Sequence, residues 1–305
     1  MPRRPNVVML FLDGVGVGTN NPQINPFFAA SLPAILELCG GNMIHLRNAK
    51  RSSSSASIAP IAATLGTEGL PQSGTGQTAL MTGVNAASLI GKHFGPYPYS
   101  SLHPIIDEKN IFRRLSEAGK SVFYVNAFPK KYFDFIRARR GRTPTLARSW
   151  VAAGFGLNDS AALAEGNALS ADITGERWNA NGFSRVPEIS PKEAGRRLVR
   201  LGNLHDFVLF EYSFTDHAGH SQSMPQATGV LALVDEFIGG IIDSMRPAST
   251  TLIVTSDHGN LEDLSTKTHT RNPVPFIAVG RHHVAVTNRV SDITDVPTAI
   301  EYLLK

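Results

Sequence analysis

Four of the ten histidines fall in two short stretches that also carry aspartates. In Asp216-His217-Ala218-Gly219-His220, a helix start would place Asp216 and His220 four residues apart on one face, within reach of one ion. In Thr255-Ser256-Asp257-His258-Gly259-Asn260 the two donor types are adjacent. His269 follows in Thr268-His269-Thr270-Arg271-Asn272-Pro273-Val274-Pro275. Mixed carboxylate and imidazole donors suit zinc, manganese or iron better than a pure calcium or magnesium site. Divalent metal is therefore the expected cofactor, manganese or zinc first, with magnesium admitted. No cysteine lies near these donors, which excludes a thiolate structural zinc site and points to open, catalytic metal positions. A further element is Gln72-Ser73-Gly74-Thr75-Gly76-Gln77 running on to Thr82-Gly83. There Ser73 stands where a turn meets a small-residue helical stretch. Backbone N–H groups and the dipole at such a helix start favour an anion, and a serine oxygen beside a cation is a nucleophile. Alone, Ser-Gly-Thr-Gly reads as a flexible turn, and Thr75 is the competing hydroxyl.

The elements that must position these residues are legible as short apolar runs alternating with helical patterns. Residues 7–12, 121–125, 207–212, 251–255 and 276–279 read as buried strands. Helical patterns span 26–38, 111–118, 191–201, 225–245 and 295–304. Ser190 and Pro191 mark a capped start, and Gly119 a left-handed stop. The alternation predicts an α/β three-layer sandwich with a mostly parallel central sheet covered by helices on both faces. Ligands of such sheets bind at the carboxyl ends of the strands. Asp13, Asp216, and Asp257 with His258 each follow a predicted strand. The chain reads as one catalytic domain over 1–305. Its segment 130–186 lacks a clear period and is expected to be a small insertion or lid.

Composition excludes several classes. With 42% hydrophobic and 18% charged residues, the chain is globular. A net charge of +4 fits an anionic substrate without demanding one. Arg137, Arg139, Arg140, Arg142 and Arg148 cluster near aromatic residues, but no nucleic-acid motif accompanies them, so nucleic acid is not an expected partner. The single cysteine, Cys39, allows no disulfide within the chain and reads as a buried thiol. No run is long and apolar enough for a membrane span, and no secretory signal is evident, so a cytoplasmic location is expected. Oligomeric state is left open.

Taken as a set, Asp13-Gly14, Ser73 with Thr82-Gly83, Asp216-x-x-Gly219-His220, Asp257-His258-Gly259 and His269 resemble the alkaline phosphatase superfamily. The likeness is nearest to cofactor-independent phosphoglycerate mutases and phosphopentomutases. Asp257-His258-Gly259-Asn260 with His269-Thr270-x-Asn272-Pro273-Val274-Pro275 is similar to the mutase C-terminal signature, and Asp13 through Gly18 to its N-terminal metal loop. The segment from Gln72 to Gly83 is also similar to the nucleophile segment of nucleotide pyrophosphatases, where threonine replaces serine. The resemblance implies two divalent ions, one held by Asp216, His220 and His269, the other by Asp13, Asp257, His258 and the Ser73 oxygen. It implies a small phosphorylated substrate, with Ser73 phosphorylated and then discharged to water or an acceptor hydroxyl. His217 is left beside the site or on the surface. Two departures stand out. The acidic residue and histidine that follow the mutase nucleophile are Gly74 and Gln77 here, and only 130–186 remains for a cap. These favour a phosphomonoester hydrolase. The alternatives are a small phosphomutase with a reduced cap, a phosphodiesterase or nucleotide pyrophosphatase, and a non-catalytic metal-binding protein. A sulfatase is disfavoured, because neither Cys39 nor Ser73 lies in a Cys-x-Pro-x-Arg context. Lys92, His93, Arg137, Arg140, Arg142 and Arg177 are candidate anion contacts, none of them assigned.

Overall fold

The strand β1 (Asn6–Leu12) is apolar at every position after Asn6 and is buried along its length. Val8, Leu10 and Leu12 enter one core and Val7, Met9 and Phe11 another. Successive strand side chains point to opposite faces, so burial of both sets demands a layer of structure on each side. The computed structural model, which describes residues 5–48, 50–138, 142–182 and 185–305, supplies those layers.

Eight further strands follow: β2 (Arg51–Ser52), β3 (Ala56–Ile61), β4 (Val122–Tyr124), β5 (Asn126–Ala127), β6 (Leu169–Ser170), β7 (Phe207–Tyr212), β8 (Thr250–Thr255) and β9 (Val274–Val279). The main sheet has the order β2-β3-β9-β8-β1-β7-β4, and β5 pairs with β6 separately. Strands β8, β1, β7 and β4 are parallel, whereas β9, β3 and β2 alternate in direction. The sheet is thus parallel where Asp13, Asp216 and Asp257 emerge, and antiparallel beyond β8. Alternation of strands with helices does not reveal this turn, because β8 joins β9 through a loop with no crossover helix, as an antiparallel pair allows.

Helices Pro191–Gly202 and Met224–Ser244 cover one face, with Ala194, Leu198, Leu231, Val234 and Phe237 in that core. Helices Ser73–Thr82, Ile111–Glu117, Thr145–Ala152 and Val296–Leu303 cover the other. The Ser190 hydroxyl caps its helix by accepting from Glu193 N, and Gly119 has φ +74. The helical pattern expected over 26–38 is two pieces, Pro26–Ala29 and Pro33–Leu38. Pro33 lacks an N–H and pushes Leu32 out of the helical region, to φ −131 and ψ 67.

The segment 130–186 divides. Helix Thr145–Ala152 belongs to the sheet's packing, with Leu146 and Trp150 in the core and the Trp150 ring 5.0 Å from that of Phe112. Leu163, Ala168, Trp178 and Val186 form a small cluster of their own. Helix Lys130–Ala138 buries no residue. Arg148 pairs with Asp107 and Arg137 with Asp134, while Arg139 and Arg140 lie outside the described residues. No helix among the described residues is long and apolar enough to cross a membrane.

The two long helices cross at glycines. A Cβ on Gly195 would lie 2.2 Å from Phe237 O, and one on Gly240 would lie 2.1 Å from Lys192 O. Backbone cannot yield as a flexible side chain would, so Gly240→Ala is expected to cost about 3 kcal/mol of stability. A shift of the urea midpoint checks this. A wild-type midpoint would contradict the close crossing.

Candidate metal centre and nucleophile

Each candidate donor is placed by the element it follows. Asp13 leaves β1, its N–H bonded to Tyr212 O (3.0 Å) and its carbonyl accepting from Thr215 Oγ1 (2.6 Å). Helix Phe214–Ser221, directly after β7, carries Asp216 and His220 one turn apart. Asp257 and His258 follow β8, and His269 precedes β9. Because β8 and β9 are antiparallel neighbours, their connecting loop begins and ends at the same edge of the sheet, so all three donors fall at β8's carboxyl end. Ser73 opens the helix Ser73–Thr82, whose Gly76 would press a Cβ to 2.9 Å from Asp257 O. Gly14 stands at φ +68 with Asp216 Oδ1 only 2.5 Å from its ideal Cβ position, so a side chain there is excluded on both counts.

Two groups result. Asp13, Asp257 and His258 each offer an atom within 4.8 Å of the others. The Nε2 of His258 is 3.5 Å from Asp13 Oδ1, 3.5 Å from Asp257 Oδ2 and 3.0 Å from Ser73 Oγ. In the second group, Asp216 lies 3.3 Å from His220 Nε2 and 3.6 Å from His269 Nε2, and the two imidazole nitrogens face each other at 3.2 Å. Asp216, His258 and His269 also offer atoms within 4.8 Å of one another, and the His258 and His269 rings stack at 3.9 Å, so His258 joins the two groups.

Hydrogen-bond partners fix the tautomers of the second group. His220 Nδ1 lies 2.9 Å from Lys267 O and His269 Nδ1 lies 2.7 Å from Pro71 O. A carbonyl only accepts, so both Nδ1 atoms carry the proton. In the neutral imidazoles both Nε2 atoms present lone pairs to one another and to the Asp216 carboxylate. A cation resolves that arrangement, and a carbonyl on the far imidazole nitrogen is the usual support of a metal-bound histidine.

The first group asks for positive charge as well. Asp13 Oδ1, Asp257 Oδ2 and His258 Nδ1 are buried without a hydrogen-bond partner. Burial, then the neighbouring Asp257 and Asp216 carboxylates, hold the Asp13 carboxyl well above its ordinary range. Burial and Asp216 raise that of Asp257. Burial, and the approach of His269, depress His258 to about 3, so it is a neutral donor. Unpaired buried anions are costly, and divalent cations at the two groups offset that cost. The donor set therefore fits two metal ions, and it is of the imidazole–carboxylate kind that zinc and manganese accept.

The structure thus brings together Asp13, Ser73, Asp216, His220, Asp257, His258 and His269. It commits other candidates to other contacts. The Thr75 hydroxyl donates to Gln72 O and accepts from Phe94 N. His217 is exposed against the Phe214 ring. Lys92 lies over the Phe94 and Tyr99 rings, His93 Nε2 contacts Thr64 O, and Arg177 covers the Phe214 ring. Arg142 lines a cleft of about 480 Å³ with His103 and the loop 94–100. That loop is tied to the first turn after Ser73 by the bond from Thr75 N to Phe94 O (2.9 Å).

Four polar residues at the site were not singled out as functional from sequence. Gln77 Nε2 reaches Asp13 Oδ2 at 3.4 Å, in place of the histidine that the resemblance leads one to expect. The Asn260 amide donates to Asp216 Oδ1 at 2.7 Å. Glu211, its carboxyl raised by burial and bonded by the Tyr124 hydroxyl, pairs in register with Phe11 and so shares a sheet face with Asp13. A glutamate inside Phe207–Tyr212 was a readable signal, since charge in a buried strand needs a reason. Glu262 is wholly buried beneath the loops and had no such signal.

Comparison with known proteins identifies the family and the fold. A model of the Metalloenzyme superfamily matches residues 5–296. The chain is 31% identical over 130 residues to a 2,3-bisphosphoglycerate-independent phosphoglycerate mutase of Rhodopseudomonas palustris, and 29% identical over 128 residues to that of Moorella thermoacetica. Each match takes in 40% of this chain and only 25% of the curated relative. Alkaline phosphatase from the Antarctic bacterium TAB5 superposes with a TM-score of 0.56 at 15% identity, covering 100% of this chain and 99% of that one. Leishmania mexicana phosphoglycerate mutase gives 0.51 at 12% identity, covering 100% and 96%. These superpositions establish an alkaline-phosphatase-like fold.

The titrations have a measurable sign. A carboxyl whose folded pKa is raised keeps a proton that the unfolded chain releases, so its contribution to stability is present at low pH and lost as pH rises through the folded value. Depressed His258 acts oppositely, but only below about pH 6.5, where unfolded histidine still binds a proton. Above that point the carboxyls dominate. Metal-free protein should therefore melt at lower temperature as pH rises from about 6.5 to 8, while saturating Mn(II), which binds the deprotonated donors, should remove that slope. A metal-free melting temperature that is flat or rises over this range contradicts the assignment.

Proposed function

The chain belongs to the metalloenzyme superfamily, and on that premise we propose that it is a two-metal phosphoryl-transfer enzyme, a phosphomonoester hydrolase acting through Ser73. The carrying observation is the Ser73 hydroxyl, at the first residue of a helix and 3.0 Å from His258 Nε2, at the head of a buried carboxylate–imidazole cluster. In this reading Asp13, Asp257, His258 and Ser73 hold one ion and Asp216, His220 and His269 the other, with manganese or zinc the proposed metal. When bound, such ions supply charge that polarises the phosphoryl oxygens and favours the ionised serine.

The chain's own residues do the rest. The helix start favours the anionic forms of Ser73 and of the phosphoryl group. Ser73 Oγ attacks phosphorus, the bond to the leaving oxygen breaks, and the alcohol departs with a proton. Water then attacks the phosphoserine, the bond from phosphorus to Ser73 Oγ breaks, a water proton restores the Ser73 hydroxyl, and phosphate is released. Gln77 and Asn260 hold the Asp13 and Asp216 carboxylates in place through the process. A mutase would have to keep its phosphorylated intermediate from water while the product turns over. Helix Thr145–Ala152 is committed to the core, which shortens the part of 130–186 free for that task and supports hydrolysis. The matched mutases support a second reading, a small phosphomutase with the remainder of 130–186 as a reduced cap. A cytoplasmic location accompanies the proposal; Cys39 is buried, and burial pushes its thiol up to about 11.

With Mn(II) loaded, p-nitrophenyl phosphate should be hydrolysed, and Ser73→Ala should lower the rate by at least about a thousandfold. Turnover of bis(p-nitrophenyl) phosphate alone would replace this reading with a diesterase. Interconversion of 2- and 3-phosphoglycerate without phosphate release would replace it with the mutase.

A further inference from the structure

Glu262 is wholly buried, and no lysine or arginine pairs with it among the described residues. Its carboxylate is surrounded instead by neutral donors. Oε2 accepts from Gly16 N and Asn260 N, both at 2.8 Å. Oε1 accepts from the Thr270 hydroxyl and from Asn272 Nδ2 at 3.0 Å. These donors come from the loop after β1 and from the two limbs of the β8–β9 loop, and each of these three segments carries members of the metal cluster. Gly16 lies just past Asp13, Asn260 just past Asp257 and His258, and Thr270 next to His269. The loops leave room for the carboxylate by having no side chains there: a Cβ on Gly16 would meet Glu262 Oε1 at 2.2 Å, and one on Gly259 would meet it at 2.3 Å. Thr270 N also bonds Gly259 O at 3.0 Å, closing the two limbs of the β8–β9 loop.

We infer that Glu262 is a positioning residue, one buried carboxylate that binds the loop after β1 to both limbs of the β8–β9 loop and thereby sets the donors of both metal sites in register. The inference rests on the two-metal reading above. All four acceptor directions of the carboxylate are taken, so it serves the metals through the loops and not as a donor to them. Its two oxygens act on different sites. Oε2 faces backbone N–H groups, which can only donate, so that position must remain an acceptor. Oε1 faces a hydroxyl and a side-chain amide, which can turn to accept. Glu262→Gln therefore keeps the Gly16 and Asn260 contacts and forces Thr270 and Asn272, on the limb that carries His269, to turn and accept. Glu262→Ala releases the β1 loop and both limbs of the β8–β9 loop.

The test is Mn(II) titration of the metal-free full chain by calorimetry, with circular dichroism as the check on folding. Wild type should take up two ions. Glu262→Gln should bind one of them ~10- to 100-fold more weakly and leave the other within about threefold, the range seen when a metal site's outer support is removed. Glu262→Ala should weaken both. Ile300→Ala, a truncation in the distant core, should lower the melting temperature without changing either affinity, which separates positioning from general destabilisation. If Glu262→Gln fails to fold, Thr270→Val decides, since it removes one donor to Oε1 and should weaken the same single ion. Two ions bound with wild-type affinity by Glu262→Gln, or by Thr270→Val in its stead, overturns the inference and leaves the two-metal reading intact. Fewer than two ions bound by wild type overturns both.

Discussion

Three carboxylates that repel one another are the constraint around which this protein is organised. Asp13, Asp216 and Asp257 converge at the carboxyl ends of β1, β7 and β8. Among the described ion pairs, none brings a lysine or arginine to any of them; their charged neighbours are histidines. In a low-dielectric setting that crowding is tolerable only with protons or with cations, and the protein supplies a donor geometry suited to cations. Lone pairs of His220 and His269 face one another because their far nitrogens are committed to carbonyls, so the fold itself prevents the imidazoles from relaxing into a hydrogen bond between two neutral tautomers.

The sheet explains how such a cluster is assembled from distant positions. Parallel neighbours β8, β1 and β7 deliver their carboxyl ends side by side, and one antiparallel neighbour, β9, returns the chain to the same edge. A crossover helix between β8 and β9 would have carried His269 away from His258 toward a helical layer. The direct loop keeps the two rings stacked. Helix Ser73–Thr82, packed on the face that receives Met9 and Phe11, then brings its first residue to His258.

Much of this was legible in the residues. The apolar runs located the buried strands, because a strand covered on both faces has no polar alternation to obscure it. The strand-end aspartates and neighbouring histidines located the donors, because chemistry in α/β sheets collects where strands end. Other features were hidden for physical reasons. Residues 26–38 keep a helical apolar period through Pro33, yet the proline's ring and missing N–H divide the helix. Helix Thr145–Ala152 looks like part of an irregular lid, but Trp150 finds its partner in Phe112 across the core. Glu262 follows Leu261 in the chain as an ordinary acidic residue, and its meaning lies in donors such as Gly16 that are remote in sequence.

The amino-acid sequence by itself determined which side chains are present to bind metal, which strands are buried, and that a serine opens a helix beside glycines. Those properties depend on local pattern and on side-chain chemistry. Only the tertiary structure decided how closely the donors approach one another, which nitrogen of His220 and of His269 is committed to a carbonyl, and which buried carboxylate holds their loops. Those outcomes depend on strand order and direction, and on hydrogen bonds between residues that no local pattern relates.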